Sequence, residues 1–415
     1  MGKIPKNLQF YKFSAYGFLK NLRFFEPFLI LFFLEMGINY IQIGILYSIR
    51  EIATNMFELP TGIIADSFGR RKSMIFSFTS YIFSFIIFYF VPGFTSYIIA
   101  MIFFSIGEAF RTGTHKAMIL SYLEIKKIKH LKIHYYGHTR SASQLGSALS
   151  SIIAMCLVFR TGSYKIVFLA SIIPYILELF LMFSYPKSLD GEIKPLKGNL
   201  VLRIKQRLKS TIRDFINIFK DKFTIKALMN SSVFSGLHKG TKDYLQPILK
   251  NYALALPLFT FLDTKQKSSI LIGLVYFFIY ILTSYASIAA GPFSEKIKNI
   301  PSGINLTFVA GAIFVIISGL FLGFNLYIFS IIFFVLTFLN ENLRRPLNIG
   351  YISEFISSHI MATGLSGESQ LKSIFSALFS FLMGLFAQYI GLSYALIIMG
   401  IITIIIFPFI KVSKN

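Results

Sequence analysis

The sequence predicts an all-α membrane protein with twelve transmembrane helices in two pseudo-symmetric six-helix bundles. Three observations predict it. The composition is too apolar for a soluble core: of 415 residues 55% are hydrophobic and 14% charged, and the mean hydropathy is +0.66, whereas soluble domains carry about 25% charged residues. The apolar residues gather into stretches long enough to cross a bilayer, which takes about 20 residues as a helix. The formal charge of +23 is sorted by loop along the chain, as it is in polytopic membrane proteins.

Twelve stretches qualify: 14–36, 40–63, 73–92, 96–121, 139–160, 164–185, 224–249, 268–291, 303–322, 325–350, 368–390 and 392–410. Helix is the only open-chain choice, because lipid offers no partner for a free backbone N–H or C=O. With twelve spans both termini share one face. That face collects Lys3, Lys6 and Lys12, then Arg70, Arg71 and Lys72, then Lys126, Lys127, Lys129 and Lys132. Ten more lie in 186–222, followed by Lys296, Lys298, Lys411 and Lys414. The opposite face has Arg160, Lys165, Lys250, Lys265 and Lys267. The positive-inside rule therefore puts the termini in the cytoplasm, and the protein is expected in the inner membrane.

The domain division is expected at 1–185, a six-helix bundle, 186–222, a cytoplasmic linker, and 223–415, a second six-helix bundle. In the linker Val201, Ile204, Leu208, Ile212, Phe215 and Phe219 recur at helical spacing among basic residues. That pattern suits an amphipathic helix lying on the membrane surface.

Several function classes are excluded. A nucleic-acid partner needs a solvated basic face, for which the apolar runs leave no room. The lone Cys156 cannot form an internal disulfide, and the six His show no metal-ligand spacing. No cofactor and no enzymatic activity are expected, and the chain is expected to be a monomer whose surroundings are the lipid bilayer.

The two halves resemble each other at an offset of 226–229 residues. Gly62-Ile-Ile-Ala-Asp66 matches Gly291-Pro-Phe-Ser-Glu295, and Ser143-Gln144-Leu145 matches Ser369-Gln370-Leu371. Parallel six-helix repeats of this kind are a transporter architecture.

The stretch Gly-Ile-Ile-Ala-Asp-Ser-Phe-Gly-Arg-Arg-Lys, with Gly62, Asp66, Gly69, Arg70, Arg71 and Lys72, resembles the signature loop between helices 2 and 3 of the major facilitator superfamily. The second copy at Gly291 and Glu295 lacks the Arg pair. The resemblance implies a gating loop there, and it implies that helices 1, 4, 7 and 10 surround a central cavity.

Charges inside membrane spans are costly and tend to face an aqueous path. Span 1 carries Arg23 and Glu26, and span 4 carries Glu108 and Arg111. Span 7 carries Lys239, Lys242 and Asp243. Span 10 carries Asn340, Glu341, Arg344 and Arg345. The spacings i, i+3 and i, i+4 set Arg23 with Glu26, Glu108 with Arg111, Lys239 with Asp243 and Glu341 with Arg344 on shared helix faces. Span 2 adds Arg50 and Glu51. They point about 100° apart, so one of them is expected to meet a charge on another helix.

These residues suggest a secondary active transporter that works by alternating access and moves a small solute. The excess of bases favours an anionic or zwitterionic substrate. Protons are the expected coupling ion, with Glu26 and Glu108 as candidate carriers because each sits beside an arginine. Efflux of amphipathic compounds is an alternative; the resemblance implies a Gly-Pro-rich signature in helix 5 for drug–proton antiporters, and its absence from 139–160 weakens an antiporter assignment. A sensor built on a transporter fold is a second alternative.

Overall fold

The structure is a computed structural model and describes residues 7–191, 193, 205, 209, 213, 222–257, 261–297, 299–355 and 361–413. The linker residues expected to form the amphipathic face, Val201, Ile204, Leu208, Ile212, Phe215 and Phe219, lie outside the described residues.

Every regular element among the described residues is helical. In the first half they are α1 (Leu8–Leu19), α2 (Leu29–Glu35), α3 (Tyr40–Phe68), α4 (Arg70–Phe90), α5 (Phe94–Arg111), α6 (Thr114–Ile125), α7 (Lys132–Thr161) and α8 (Ile166–Phe183). In the second they are α9 (Lys222–Thr241), α10 (Leu245–Ala255), α11 (Thr264–Ile297), α12 (Ile300–Gly323), α13 (Tyr327–Phe355), α14 (Met361–Tyr389) and α15 (Gly391–Ile410). Among the described residues, nine helices are long and apolar enough to cross a membrane.

The other three expected spans are helical as well, and they differ for identifiable reasons. Span 2 lies in α3, whose centre carries Arg50, Glu51 and Glu58. Span 1 divides into α1, a short 3-10 turn Glu26–Phe28 and α2. Span 7 divides into α9, a 3-10 turn Lys242–Tyr244 and α10. Span 4 is interrupted too, between α5 and α6, where Gly113 takes φ +78°. Each break falls at or beside charged residues.

The chain forms two compact units. Unit 1 comprises Met1–Phe28 and Ala53–Leu208, and unit 2 comprises Leu29–Ile52 and Lys209–Asn415. The segment 29–52 thus groups with the second half of the sequence, and its own contacts explain why. The Ile30 N–H donates to Gln246 Oε1 at 2.8 Å, Ser48 Oγ donates to the Ala377 carbonyl at 2.7 Å, and Lys265 pairs with Glu35. Gly44 on α3 meets α14 so closely that an added Cβ would lie 2.7 Å from the Ser380 carbonyl. Small residues let helix backbones approach in this way where lipid supplies no hydrophobic drive between helices.

The internal repeat is visible in the packing of each unit. In unit 1 the main helix pairs are α4 with α5, α1 with α7 and α4 with α8. In unit 2 they are α12 with α13, α9 with α14 and α12 with α15. These are the same three pairings once the second half is laid on the first, span for span. Serines tie the equivalent pairs in the apolar interior. Ser77 Oγ donates to the Gly107 carbonyl at 2.6 Å between α4 and α5, and Ser318 and Ser330 cross-bond between α12 and α13 at 2.9–3.1 Å. A hydroxyl bonded to a backbone carbonyl costs little to bury and fixes the register.

Candidate functional site

The interruption after α1 and the end of α5 build the densest charge cluster of unit 1. Where α1 stops, the chain leaves the helical register over Lys20–Phe25 and presents Arg23, then Glu26 on the short turn. Asn21 Nδ2 donates back to the Gly17 carbonyl at 2.7 Å and so satisfies one of the groups the break releases. On α5, Glu108 and Arg111 lie in the last turn. Thr112 Oγ1 donates to the Glu108 carbonyl at 2.9 Å, and a cation at Arg111 suits the negative end of the helix dipole.

The four side chains form one chain of ion pairs. Arg23 reaches Glu26 at 3.2 Å and Glu108, across to α5, at 3.2 Å. Arg111 pairs with Glu108 as well. Tyr81 of α4 donates its hydroxyl to Glu108 and in turn accepts from Arg111 Nε at 3.4 Å. The side chains keep 15–28% of their surface accessible, so the cluster is mostly but not wholly removed from solvent. Both i, i+3 pairs expected from spacing are present, and the Arg23–Glu108 bridge joins them. Lys20, which the spacing rule passes over, lies on the Tyr16 ring at 5.4 Å.

Unit 2 has separate groups. Lys239 on α9 pairs with Glu51 of α3 at 2.8 Å, and Arg50 approaches Glu51 at 3.5 Å while lying over the Tyr47 ring at 4.6 Å. Asp243 pairs with Lys242 at 3.6 Å instead of with Lys239. The expected i, i+4 pair fails because α9 ends at Thr241, so positions 239 and 243 no longer share a continuous helix face.

Arg344 is fully buried. Its guanidinium donates to the Ile304 carbonyl, to Thr307 Oγ1 at 3.2 Å, to the Asn230 carbonyl at 3.2 Å and to Asn230 Oδ1. The rings of Phe234 and Phe308 flank it at 4.9 and 5.2 Å. Glu341 does not pair with it, and accepts from Ser235 Oγ at 3.1 Å. Asn340 donates to the Thr307 carbonyl at 2.7 Å, and Arg345 is exposed. The part of α13 that carries Asn340 and Arg344 therefore faces the interior of unit 2. Two further charges there, Glu368 and Lys372, pair at 2.6 Å, with Ser231 Oγ donating to Glu368 at 2.6 Å. Their i, i+4 spacing in span 11 was available in the sequence.

The motif loop is held within unit 1. Gly69 takes φ +95°, a backbone state that disfavours any side chain, and a Cβ there would meet the Asp190 carboxylate. Asp190 Oδ1 accepts from the Arg71 N–H at 2.7 Å and so caps the start of α4. Arg71 Nη1 donates to the Tyr185 carbonyl at 2.9 Å, and Arg70 donates to Ser121 Oγ at 2.6 Å and the Ala117 carbonyl at 3.2 Å. Gly62, Asp66 and Lys72 are exposed. Gly62, Asp66, Arg70 and Glu58 line a cavity of 220 Å³ together with Thr112 and Thr114. Gly291 and Glu295 are exposed near the end of α11. Among the described residues no group of His, Cys, Asp and Glu is placed to hold a metal ion.

Comparisons with known proteins give the context. Residues 15–367 match the family model described as Major Facilitator Superfamily. An uncharacterized MFS-type transporter, YxaM of Bacillus subtilis (strain 168), is 31% identical over 105 residues, which span 25% of this chain and 26% of that protein. The fold is similar to that of the nucleoside transporter NupG (TM-score 0.77, 13% identity, 98% of this chain and 99% of that one). It is also similar to that of a POT family transporter solved with 5-aminolevulinic acid (TM-score 0.75, 15% identity, 99% and 96%). The chain belongs to the major facilitator superfamily of membrane transporters.

Proposed function

We propose that the chain is a proton-coupled secondary transporter of a small anionic or zwitterionic solute, working by alternating access. The observation that carries this reading is the ion-pair chain Glu26–Arg23–Glu108–Arg111, built where two spans are interrupted. Discontinuous helices are where transporters of repeated architecture build substrate and coupling sites.

The chemistry follows from competition for the two guanidiniums. Arg23 and Arg111 offer planar forks that suit a carboxylate or phosphate. An incoming anion that takes the place of Glu108 leaves that carboxylate without its counter-charge in a low-dielectric setting. Taking up a proton from water removes the cost. Solute and proton then bind together and leave together, and the charge of the cluster is conserved. Glu26 competes for Arg23 in the same way.

The Asp66–Arg70 loop is assigned to gating, the basic face and both termini to the cytoplasm, and the protein to the inner membrane as a monomer. Support for the orientation is the crowding of Lys and Arg onto one set of loops.

The reading is tested by a thermal-shift screen of the purified protein against small carboxylates, amino acids, peptides, nucleosides and sugars. Ligand at a hundredfold excess over its Kd stabilises by about 2.7 kcal/mol. An anionic or zwitterionic hit that disappears in Arg111→Gln supports the reading. A hit confined to neutral sugars, or one that Arg111→Gln retains in full, contradicts it.

A further inference from the structure

Glu178 is the lone charged residue of α8, and the ion-pair chain does not use it. Its side chain is fully buried, and neither carboxylate oxygen has a hydrogen-bond partner among the described residues. The Lys20 N–H, which donates to the Tyr16 carbonyl at 3.1 Å, also points toward Glu178. Glu26 and Glu108 each sit in an ion pair, so Glu178 stands apart from them.

An ionised carboxylate in such a place is costly unless a counter-charge faces it. Yet the residue is not in purely apolar surroundings. The charged groups acting on it are Lys20, just past the end of α1, and Arg111, at the end of α5. From α1 the phenol of Tyr16 also faces it, and Tyr185 lies beyond it at the end of its own helix. From α4 comes Tyr81, whose ring meets Tyr175, one turn before Glu178, at 5.1 Å. From α7 comes Tyr135, across Phe13 from Tyr185.

A buried His–Tyr pair lies in the same interior of unit 1. The Tyr16 ring stacks on the imidazole of His115 at 3.5 Å between centroids. His115 Nε2 is 3.1 Å from the Tyr185 hydroxyl, which donates to the Lys12 carbonyl at 3.2 Å. Lys12 Nζ in turn donates to the Ser184 carbonyl at 2.7 Å and is exposed. His115 is itself 5% exposed. The His115–Tyr185 dyad therefore runs from the Tyr16 ring toward the membrane face on which α1 begins.

We propose that Glu178 is a proton-binding site of unit 1, which exchanges its proton with that face by way of the His115–Tyr185 dyad. In the exchange the carboxyl O–H proton passes to water and leaves a carboxylate balanced by Lys20 and Arg111. The reverse step returns the neutral acid. Because Arg111 also serves Glu108, loss of the Glu178 proton draws on the guanidinium that the proposed solute site uses. The assignment does not require a particular solute, so its test stands apart from the transport reading.

Infrared difference spectroscopy on the purified full-length protein reads the site directly through the C=O stretch of a protonated carboxyl. Wild-type protein is expected to show such a band at neutral pH. The band is expected to shift in protein grown on isotope-labelled glutamate, to be lost in Glu178→Gln and to be kept in Glu124→Gln, whose exposed carboxylate pairs with Lys129. His115→Phe and Tyr185→Phe are expected to keep the band and slow its hydrogen–deuterium exchange. Should Glu178→Gln not be recovered folded, Glu178→Asp and the labelled wild type decide, since the aspartate must give a band at a different frequency that labelled glutamate leaves unmoved. Absence of the band from wild type, its persistence in Glu178→Gln, or its loss in Glu124→Gln instead overturns the proposal. Unchanged exchange in both dyad variants overturns the route.

Discussion

Removing the Glu108 charge probes the ion-pair chain most sharply. Glu108→Gln keeps the side-chain volume and leaves Arg111 without its carboxylate, while Arg23 retains Glu26 at 3.2 Å. At an effective dielectric of 20, the 3.2 Å Arg23–Glu108 contact alone amounts to about 5 kcal/mol of attraction. Desolvation offsets most of it, and breaking a buried pair by removing one partner costs about 3–5 kcal/mol net. The side chains of Glu108 and Arg111 are 24% and 15% exposed, which places Glu108→Gln near the low end, at about 3 kcal/mol. Arg111→Leu is expected to cost less, because Glu108 keeps Arg23 and Tyr81. The double variant should then recover about 2 kcal/mol relative to the sum of the singles, within the range that contacting charges show. SDS-driven unfolding of the solubilised protein, followed by circular dichroism, measures all four corners of the cycle. Additivity within about 0.5 kcal/mol would refute the claim that these residues act as one chain.

Three further outcomes are expected. Arg344→Met should lower stability by about 1–3 kcal/mol by stranding the buried Asn230 Oδ1, and the loss should appear in the same unfolding assay whether or not a solute is present. Asp190→Ala removes the cap on α4 and should cost about 1 kcal/mol, whereas Lys187→Ala, at an exposed position three residues earlier, should stay within about 0.5 kcal/mol. Gly44→Val should cost about 1–3 kcal/mol by pushing α3 off the Ser380 carbonyl. Gly62→Ala, at a position open to solvent, is the matched control, and equal melting curves for the two variants would rule out the close approach.

Much of this architecture could be read from run length and charge placement. An uncharged stretch such as 303–322 admits one interpretation in lipid, and its helix, Ile300–Gly323, covers it. The breaks were less legible. The apolar pattern continues through Leu22, Phe24 and Phe25, so nothing local shows that the chain leaves the helix after Leu19. In the candidate site, pairs at i, i+3 could be inferred because one helix fixes both members. Partners on other helices could not, since they depend on which helices adjoin. Arg344 illustrates the limit: its charge is plain in the sequence, but its acceptors lie 114 and 40 residues away on α9 and α12. The pairing of Glu51 with Lys239, 188 residues apart, is of the same kind. Glu178 carried a usable signal that spacing rules miss, because a lone ionisable residue in an apolar span is itself a pointer to function.

The central claim is that the Arg23–Glu26–Glu108–Arg111 chain couples a solute to a proton. Proton movement in proteoliposomes carrying an interior pH dye tests it, with the solute taken from the thermal-shift screen. The account predicts that adding solute outside drives protons inward in wild type. In Glu108→Gln, or in Glu26→Gln if that acid is the carrier, solute flux should continue without proton movement. Solute-driven proton uptake at the wild-type rate in both variants would contradict the account.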